Sequence, residues 1–367
     1  MALDRLTLQN FRNHAATRLA DTRGFNVLVG ENGAGKTNVL EALSLFAPGR
    51  GLRRAQAAEM AGRTNGDVVP ASGFSVAAEL ENGAVVLSTA TLASAPNRRM
   101  VRINGAEGPA ARLGEWLSIN WLTPAMDRLF AEGPGARRRF LDRMVLARDP
   151  GHARLSARYE TALRERNRLL SEPAEPDPAW LDALEVQLAE CGAAIGTARA
   201  GLVAALTAVL ATQPEHPFAR PLLVYAGDVV PDEAALRSAL RAGRRRERAA
   251  GRTLAGPHRD DLVVTLAAKA APAADCSTGE QKAMLIAIVL AHAGLAHAEP
   301  SADSRQRLLL LDEIAAHLDP LRRAALFDRL RDSGAQVWMT GTEIAPFADI
   351  AGEAAVWRVA DGQVERV

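Results

Sequence analysis

The 367-residue chain has two cysteines, Cys191 and Cys276, far apart in sequence. Two such thiols make neither a disulfide framework nor a zinc spacing, so a packed core has to hold the fold. Aromatic residues amount to 4% (9 Phe, 5 Trp, 2 Tyr), a poor supply for stacking successive bases of a single strand. An excess of one charge is missing as well: 44 basic residues balance 43 acidic ones for a net charge of +1. That argues against a generic polyanion binder and confines any nucleic-acid site to a local patch or to one assembled in an oligomer. The longest nearly uncharged apolar stretch is read around residues 283–296; it contains His292 and falls short of the ~18–20 residues of a membrane span. The opening Met-Ala-Leu-Asp-Arg-Leu lacks an apolar h-region. The expectation is a reduced, soluble, cytoplasmic protein without a signal peptide or a membrane partner. Lysine is the scarcest charge: only Lys36, Lys269 and Lys282 stand against 41 arginines. A lysine that persists in such a chain is a candidate position where arginine would not serve. What remains is ordinary globular material, 48% apolar and 24% charged, long enough for two to three domains.

Three segments carry chemistry. The apolar run Val27–Val29, read as a buried strand, leads into Gly30-Glu31-Asn32-Gly33-Ala34-Gly35-Lys36-Thr37-Asn38 and then a helical pattern. This is the phosphate loop: glycines let backbone N–H groups curl around phosphate oxygens, and the following helix adds its positive end. Lys36 reaches the β- and γ-phosphates of ATP, and Thr37 offers a hydroxyl to Mg²⁺. Leu308–Leu311 followed by Asp312-Glu313 reads as a central parallel strand ending in two acids. Asp312 would serve the Mg²⁺ shell and Glu313 would polarise the attacking water. Ser277-Thr278-Gly279-Glu280-Gln281-Lys282 stands 35 residues before Asp312 and opens an apolar helical stretch. It is open to two readings. Ser277 with Glu280 makes a capping box. The same segment resembles the signature motif of the ABC-type ATPases, which presents a serine and backbone N–H groups to the γ-phosphate of ATP held by another subunit. His317-Leu318-Asp319 resembles the D-loop of that class, with His317 where an acid is common, and Val337–Thr342 reads as a further strand with its switch position. A signature acting in trans implies that ATP is sandwiched between two heads and that nucleotide drives dimerisation.

The separation of 240 positions from Thr37 to Ser277 exceeds a transporter subunit's insert and falls far short of the arms of the long coiled-coil chromosome proteins. A defence ATPase with an added nuclease has no room after Val337. Residues 74–104 read as β-rich, with Asn82-Gly83 as a hairpin turn and a strand running through Arg99–Gly105. Residues 138–148, 153–170 and 180–211 read as helices, with a proline-rich loop at 171–178. The chain shows no sustained heptads and no internal repeat.

The whole chain, from about Leu3 to Ala360, resembles the RecF family. The resemblance is carried by Asn10-Phe-Arg12-Asn-His14, by the phosphate loop with Leu40-Glu-Ala42, by Arg137-Arg-Arg-Phe-Leu-Asp142, by Tyr159 with Arg166-Asn167, and by Gly256-Pro-His-Arg-Asp-Asp-Leu262. It implies an ATP-dependent DNA-binding dimer with weak ATPase activity, acting in DNA repair and the SOS response. Such a dimer works at single-strand gaps and double/single-strand junctions, with RecR and RecO, to promote RecA loading. It also implies a place near the nucleotide for Arg12. One departure is Pro124-Ala-Met-Asp127, where the family's acid is displaced by one residue, which puts the role of Asp127 in doubt.

Arginine clusters at Arg137, Arg138 and Arg139, at 164–168, and at Arg244, Arg245 and Arg246 are candidate phosphate contacts. The alternative is helix faces paired with Glu165, Glu247 and their neighbours. His258 and Arg259 read as a turn before a strand or as a coupling point between nucleotide site and arm.

The expected fold is α/β: a P-loop ABC-type ATPase head over 1–135 and 236–367, with a flanking antiparallel sheet, plus a helical arm or lid over 136–235. One prediction needs only the sequence. Lys36→Ala should abolish ATP binding by calorimetry and, with it, nucleotide-driven dimerisation by light scattering; unchanged binding would sink the phosphate-loop reading.

Overall fold

The computed structural model describes residues 3–62, 73–227, 232–298 and 305–367. In chain order the first elements are β1 (Leu3–Phe11), β2 (His14–Ala20), β3 (Phe25–Val29), α1 (Lys36–Ser44), β4 (Ser75–Leu80), β5 (Val85–Leu92), β6 (Ala95–Ile103), β7 (Ala106–Glu107) and β8 (Leu117–Leu122). Next come α2 (Pro134–Arg148), α3 (His152–Ser171), α4 (Pro178–Thr212), β9 (Pro221–Ala226), α5 (Glu233–Ala250), β10 (Asp261–Leu266) and β11 (Ala271–Pro272). The last are α6 (Thr278–Ala298), β12 (Gln306–Leu311), α7 (Pro320–Asp332), β13 (Gln336–Gly341), β14 (Ala354–Ala360) and β15 (Gln363–Arg366). Contacts divide the chain into two compact units, Met1–Met126 with Val289–Val367, and Asp127–Ile288. The stretch 136–235, expected as the arm, falls within the second.

The first unit has two six-stranded sheets. One runs β2-β1-β4-β5-β6-β7, antiparallel throughout. The alternating burial of β4 and β5 marks it as one-sided. The other runs β15-β14-β3-β13-β12-β8. Its β3, β8 and β13 are buried at every position, as parallel strands covered on both faces require. Leu28, Val39, Leu40, Leu308, Leu310, Trp338 and Trp357 belong to one core cluster with Leu6, Leu8 and Phe11 of β1. Trp338 and Trp357 stack at 5.7 Å. Half-buried Arg99 closes the end of α1: its guanidinium donates to Leu45 O, and to Gly49 O at 2.7 Å. Burial lowers its pKa to about 10.

The strand expected through Gly105 ends at Ile103. Asn104 and Gly105 both have positive φ (49° and 81°) and turn the chain so that Ile103 pairs with Ala106, a two-residue hairpin that Asn-Gly favours. The turn at Asn82-Gly83 is present as a four-residue connection between Leu80 and Val85.

In the second unit, α3, α4 and α5 pack around Tyr159, Leu188, Ile195, Leu236 and Leu240, beside a three-stranded sheet β11-β10-β9. Helix α2 starts at Pro134, earlier than its expected start at 138, with the proline in its first turn. The 35-residue α4 is by length and composition apolar enough to cross a bilayer. That corrects the assignment of the longest apolar stretch to 283–296, because Arg199 is the lone charge between Cys191 and Thr212. The charge is neutralised in place: the Arg199 guanidinium forks onto both Asp142 oxygens at 2.7 and 2.8 Å. Contacts of α4 with α3, α5 and β9 make it the central helix of this unit.

Arg166 is fully buried. It pairs with Glu185 at 2.9 Å and Glu247 at 2.7 Å, and donates to Thr253 Oγ1 at 2.9 Å and Leu240 O at 3.0 Å. One side chain thus joins α3, α4, α5 and the loop after α5. Removing a partner from such a group strands the opposite charge without solvent. Arg166→Met should therefore destabilise the second unit by about 3–5 kcal/mol in chemical denaturation; a loss near zero would show that the two glutamates are neutral or hydrated there.

Candidate nucleotide site

The phosphate loop sits at the carboxyl end of β3, where open α/β sheets hold ligands. The Gly30 N–H donates to Gly341 O at 3.2 Å, joining β3 to β13. A Cβ at Gly30 would lie 2.1 Å from Val359 O, so that position has no room for a side chain. Gly35 has φ 117° and is the N-cap of α1, with no side chain capping the helix. The first N–H groups of α1 are thus left for an anion. Glu31, Asn32 and Gly33 form the exposed crest of the loop, and Ala34 is buried.

Lys36 folds back into the loop: its Nζ donates to Gly30 O at 2.6 Å and Glu31 O at 2.8 Å. Burial lowers its pKa, opposed by Glu313 and Asp312. Thr37 Oγ1 donates to Asp312 Oδ1 at 2.8 Å. A hydroxyl and a carboxylate oxygen in contact are the hard donor pair that Mg²⁺ takes from a protein beside substrate phosphates, so the residues fit that ion. Asp312 is buried, which raises its pKa against the hydroxyls of Thr340 and Thr37. Glu313 follows in the left-handed region (φ 54°).

The turn between β1 and β2 braces the loop. Asn13 Nδ2 donates to Ala34 O at 2.9 Å, and Asn13 Oδ1 accepts from Asn38 Nδ2 at 2.7 Å. Buried His14 places Nε2 3.0 Å from Gly35 O. Arg12, expected near the nucleotide, forks onto the buried Glu41 of α1 at 2.6 and 2.9 Å. Arg53 shares Glu41 and also donates to Asn38 Oδ1 at 2.6 Å. Glu41, Arg53 and Thr340 were missed as site residues. Glu41 carried a signal, a lone acid in the apolar helical run after the loop.

The second unit carries the Ser277–Gln281 segment. The capping box is formed: Ser277 N donates to Glu280 Oε2 at 3.0 Å, and Glu280 N to Ser277 Oγ at 3.4 Å. Ser277 and Gly279 stay exposed, while Gln281 is buried and donates to Cys276 O at 2.9 Å. Lys269 pairs with Glu280 at 2.6 Å, and this contact with the Ser277 bonds lowers the Glu280 pKa to about 2. Lys282 pairs with Asp127 at 3.4 Å, which gives the displaced acid a partner. Lys36 and Lys282 therefore lie in segments that the sequence ties to nucleotide, and Lys269 contacts one of them through Glu280.

Asp319, in the first unit, caps α7, its Oδ1 accepting from Arg322 N at 2.9 Å. The side chain of His317 lies outside the described residues.

Of the six arginines proposed for DNA, three are engaged within the second unit. Arg137 forks onto Asp261 at 2.7 and 2.8 Å. Arg138 donates to Asp260 O at 2.6 Å, and Arg244 is tied to Glu185 and Asp182. Arg139, Arg245 and Arg246 are exposed without a carboxylate partner among the described residues. Arg138, Arg139, Arg199 and His258 line a cavity of about 330 Å³. His258 is held by Tyr159, whose hydroxyl lies 2.7 Å from Nδ1, and by Thr253 O at 3.1 Å from Nε2; Arg259 is exposed.

Comparison with known proteins agrees with this architecture. The model of the RecF/RecN/SMC N terminal domain matches residues 2–356. The DNA replication and repair protein RecF of Mesorhizobium japonicum is 48% identical over 99% of this chain and 97% of its own length. That of Brucella suis is 47% identical over 99% and 96%. The chain belongs to the RecF family. Among solved structures, the recombination mediator protein RecF-ATPrS in the RecFOR pathway aligns over 100% of this chain and 98% of its own, with TM-score 0.84 at 21% identity. An SmcHead bound to the C-winged helix domain of ScpA aligns with TM-score 0.54 at 16% identity over 100% and 97%. At such identities the likeness is one of fold, and it is the ATPase-head fold of the RecF and SMC proteins.

The fit at Gly30 gives a direct test. Gly30→Ala forces the loop off Val359 O and should weaken nucleotide binding more than tenfold and lower the thermal midpoint by several degrees, by calorimetry and circular dichroism. Binding at wild-type strength would show that the loop does not depend on this close approach.

Proposed function

We propose that this chain is an ATP-dependent, DNA-binding recombination mediator that dimerises on ATP, binds gapped or double/single-strand junction DNA, and promotes RecA loading with RecR and RecO. Slow hydrolysis releases the dimer. The observation that carries the reading is the convergence of Lys36, Thr37, Asp312 and Glu313 at the carboxyl end of β3 and β12, in a chain of the RecF family.

In this reading the α1 N-terminus and Lys36 bind the β- and γ-phosphates of ATP. Thr37 and Asp312 would hold Mg²⁺, which would supply charge neutralisation at the transferred phosphoryl group. The Glu313 carboxylate orients a water for in-line attack on the γ-phosphorus and takes up its proton. Ser277, Gly279, Glu280 and Gln281 of a second copy complete the site, which accords with the exposure of Ser277 and Gly279 at the start of α6. Hydrolysis breaks the bond to the γ-phosphorus and yields ADP and phosphate. Of the six candidate arginines, Arg139, Arg245 and Arg246 are best placed to meet phosphodiesters, because their guanidinium groups have no acid to give up among the described residues. Duplication in a dimer would raise a positive patch that the net charge of +1 leaves weak in one copy.

The test uses Glu313→Gln, which keeps nucleotide binding and halts turnover. With ATP, light scattering should show the mass doubling, and affinity for gapped DNA in an anisotropy titration should rise at least tenfold. Doubling of mass without tighter DNA binding overturns the mediator reading and leaves the ATP-dependent head standing.

A further inference from the structure

We propose that Thr340 is a positioning residue for hydrolysis: its single hydroxyl bonds the Asp312 carboxylate to the Glu313 backbone, so that the two acids are placed together. The inference rests on the ATPase reading above.

Thr340 is a fully buried polar residue in a strand, Gln-Val-Trp-Met-Thr-Gly, whose every position is buried. Valine would fill the same space, so the hydroxyl calls for a reason. The register supplies one. Leu311 of β12 lies opposite Met339 of β13, and Thr340 follows at the point where β12 gives way to Asp312. There Thr340 Oγ1 donates to Asp312 Oδ1 at 2.8 Å and accepts the Glu313 N–H at 2.9 Å. One atom uses its proton on one acid and a lone pair on the backbone of the next.

The neighbouring groups make the bridge consequential. Glu313 has φ 54°, a region that residues with a Cβ rarely adopt and hold only when their surroundings over-determine it. The bond from its N–H is such a constraint. Without it, a part-buried donor at the strand end would lose its partner and the peptide would be free to turn toward the extended region, swinging the glutamate carboxyl away. Asp312 Oδ1 also accepts from Thr37 at 2.8 Å, so the chain of contacts runs from the phosphate-loop hydroxyl through Asp312 and Thr340 to the backbone of Glu313. Thr340 acts through the two acids.

The experiment compares Thr340→Val and Thr340→Ser with wild type in steady-state ATP turnover, in fluorescent ADP binding in EDTA, and in thermal unfolding. Loss of a hydrogen bond to a charged group predicts kcat about 10- to 100-fold lower for Thr340→Val, with the ADP affinity within about threefold and KM little changed. Thr340→Ser, which keeps the hydroxyl, should recover turnover to within about threefold of wild type. Thr340→Val at wild-type turnover overturns the proposal alone, as do Val and Ser variants that are equally slow, since the methyl group and not the hydroxyl would then matter. If Thr340→Val does not fold, Thr340→Ala takes its place with the same two outcomes. A wild-type protein without ATP turnover overturns the hydrolysis reading and this inference with it.

Discussion

A carboxylate at the end of a strand of leucines must be given hydrogen bonds or be protonated, because burial disfavours its charge. Asp312 meets that demand with two hydroxyls, Thr37 and Thr340. They come from parts of the chain separated by about 300 residues, and the contact exists only when β3, β13 and β12 lie side by side in that order. The topology of the parallel sheet and the chemistry of the site are thus one constraint. Any rearrangement that misplaced β13 would leave Asp312 short of a donor and the Gly30 N–H without Gly341. Bracing from the turn between β1 and β2 and the carbonyl of Val359 against Gly30 belong to the same enclosure. They leave the loop one shape before any ligand arrives, which spares the ordering cost at binding.

The second unit is organised by cations in its interior. Arg166 and Arg199 lie on the inner faces of α3 and α4, each saturated by carboxylates and main-chain oxygens. Such groups add little net stability over an apolar core, but they penalise every arrangement in which a partner is missing. The segment 253–261 is the beneficiary. Thr253 is held by Asn167 and Arg166, Pro257 by Arg199, His258 by Tyr159, Asp260 by Tyr225 and Asp261 by Arg137. A loop pinned at five residues presents Arg259 outward in a fixed setting.

What could be read from sequence was local. The phosphate loop, the β12 run with its two acids, and the helices α2, α3 and α4 each announce themselves in one continuous stretch of sequence. Pairings across long separations were hidden. Arg137 finds Asp261 and Arg244 finds Glu185 at separations of 124 and 59 residues; a cluster of arginines in one dimension says nothing of such partners. Helix α5 was obscured for a related reason. Its arginines make it look like a solvated charge run, whereas Leu236, Leu240 and Glu247 form its buried edge. Arg166 shows the opposite error, since it was weighed as a phosphate contact or a charge on a solvated helix face and lies fully inside, paired with Glu185 and Glu247. The role of Glu41 depends on Arg12 and Arg53 arriving from other elements, and that of Thr340 on a strand register.

The distribution of lysine has a practical side. Arginine is inert toward reagents that acylate amines, so a surface covered with guanidinium groups is silent to them. The side-chain amines here are Lys36, sequestered in the phosphate loop, Lys282, mostly covered beside Asp127, and Lys269, exposed beside the start of α6. An amine-directed probe therefore has a single readily accessible lysine among them, and it sits at the segment expected to meet the nucleotide of a second copy. The composition has built a reporter into the molecule without any residue having to be changed.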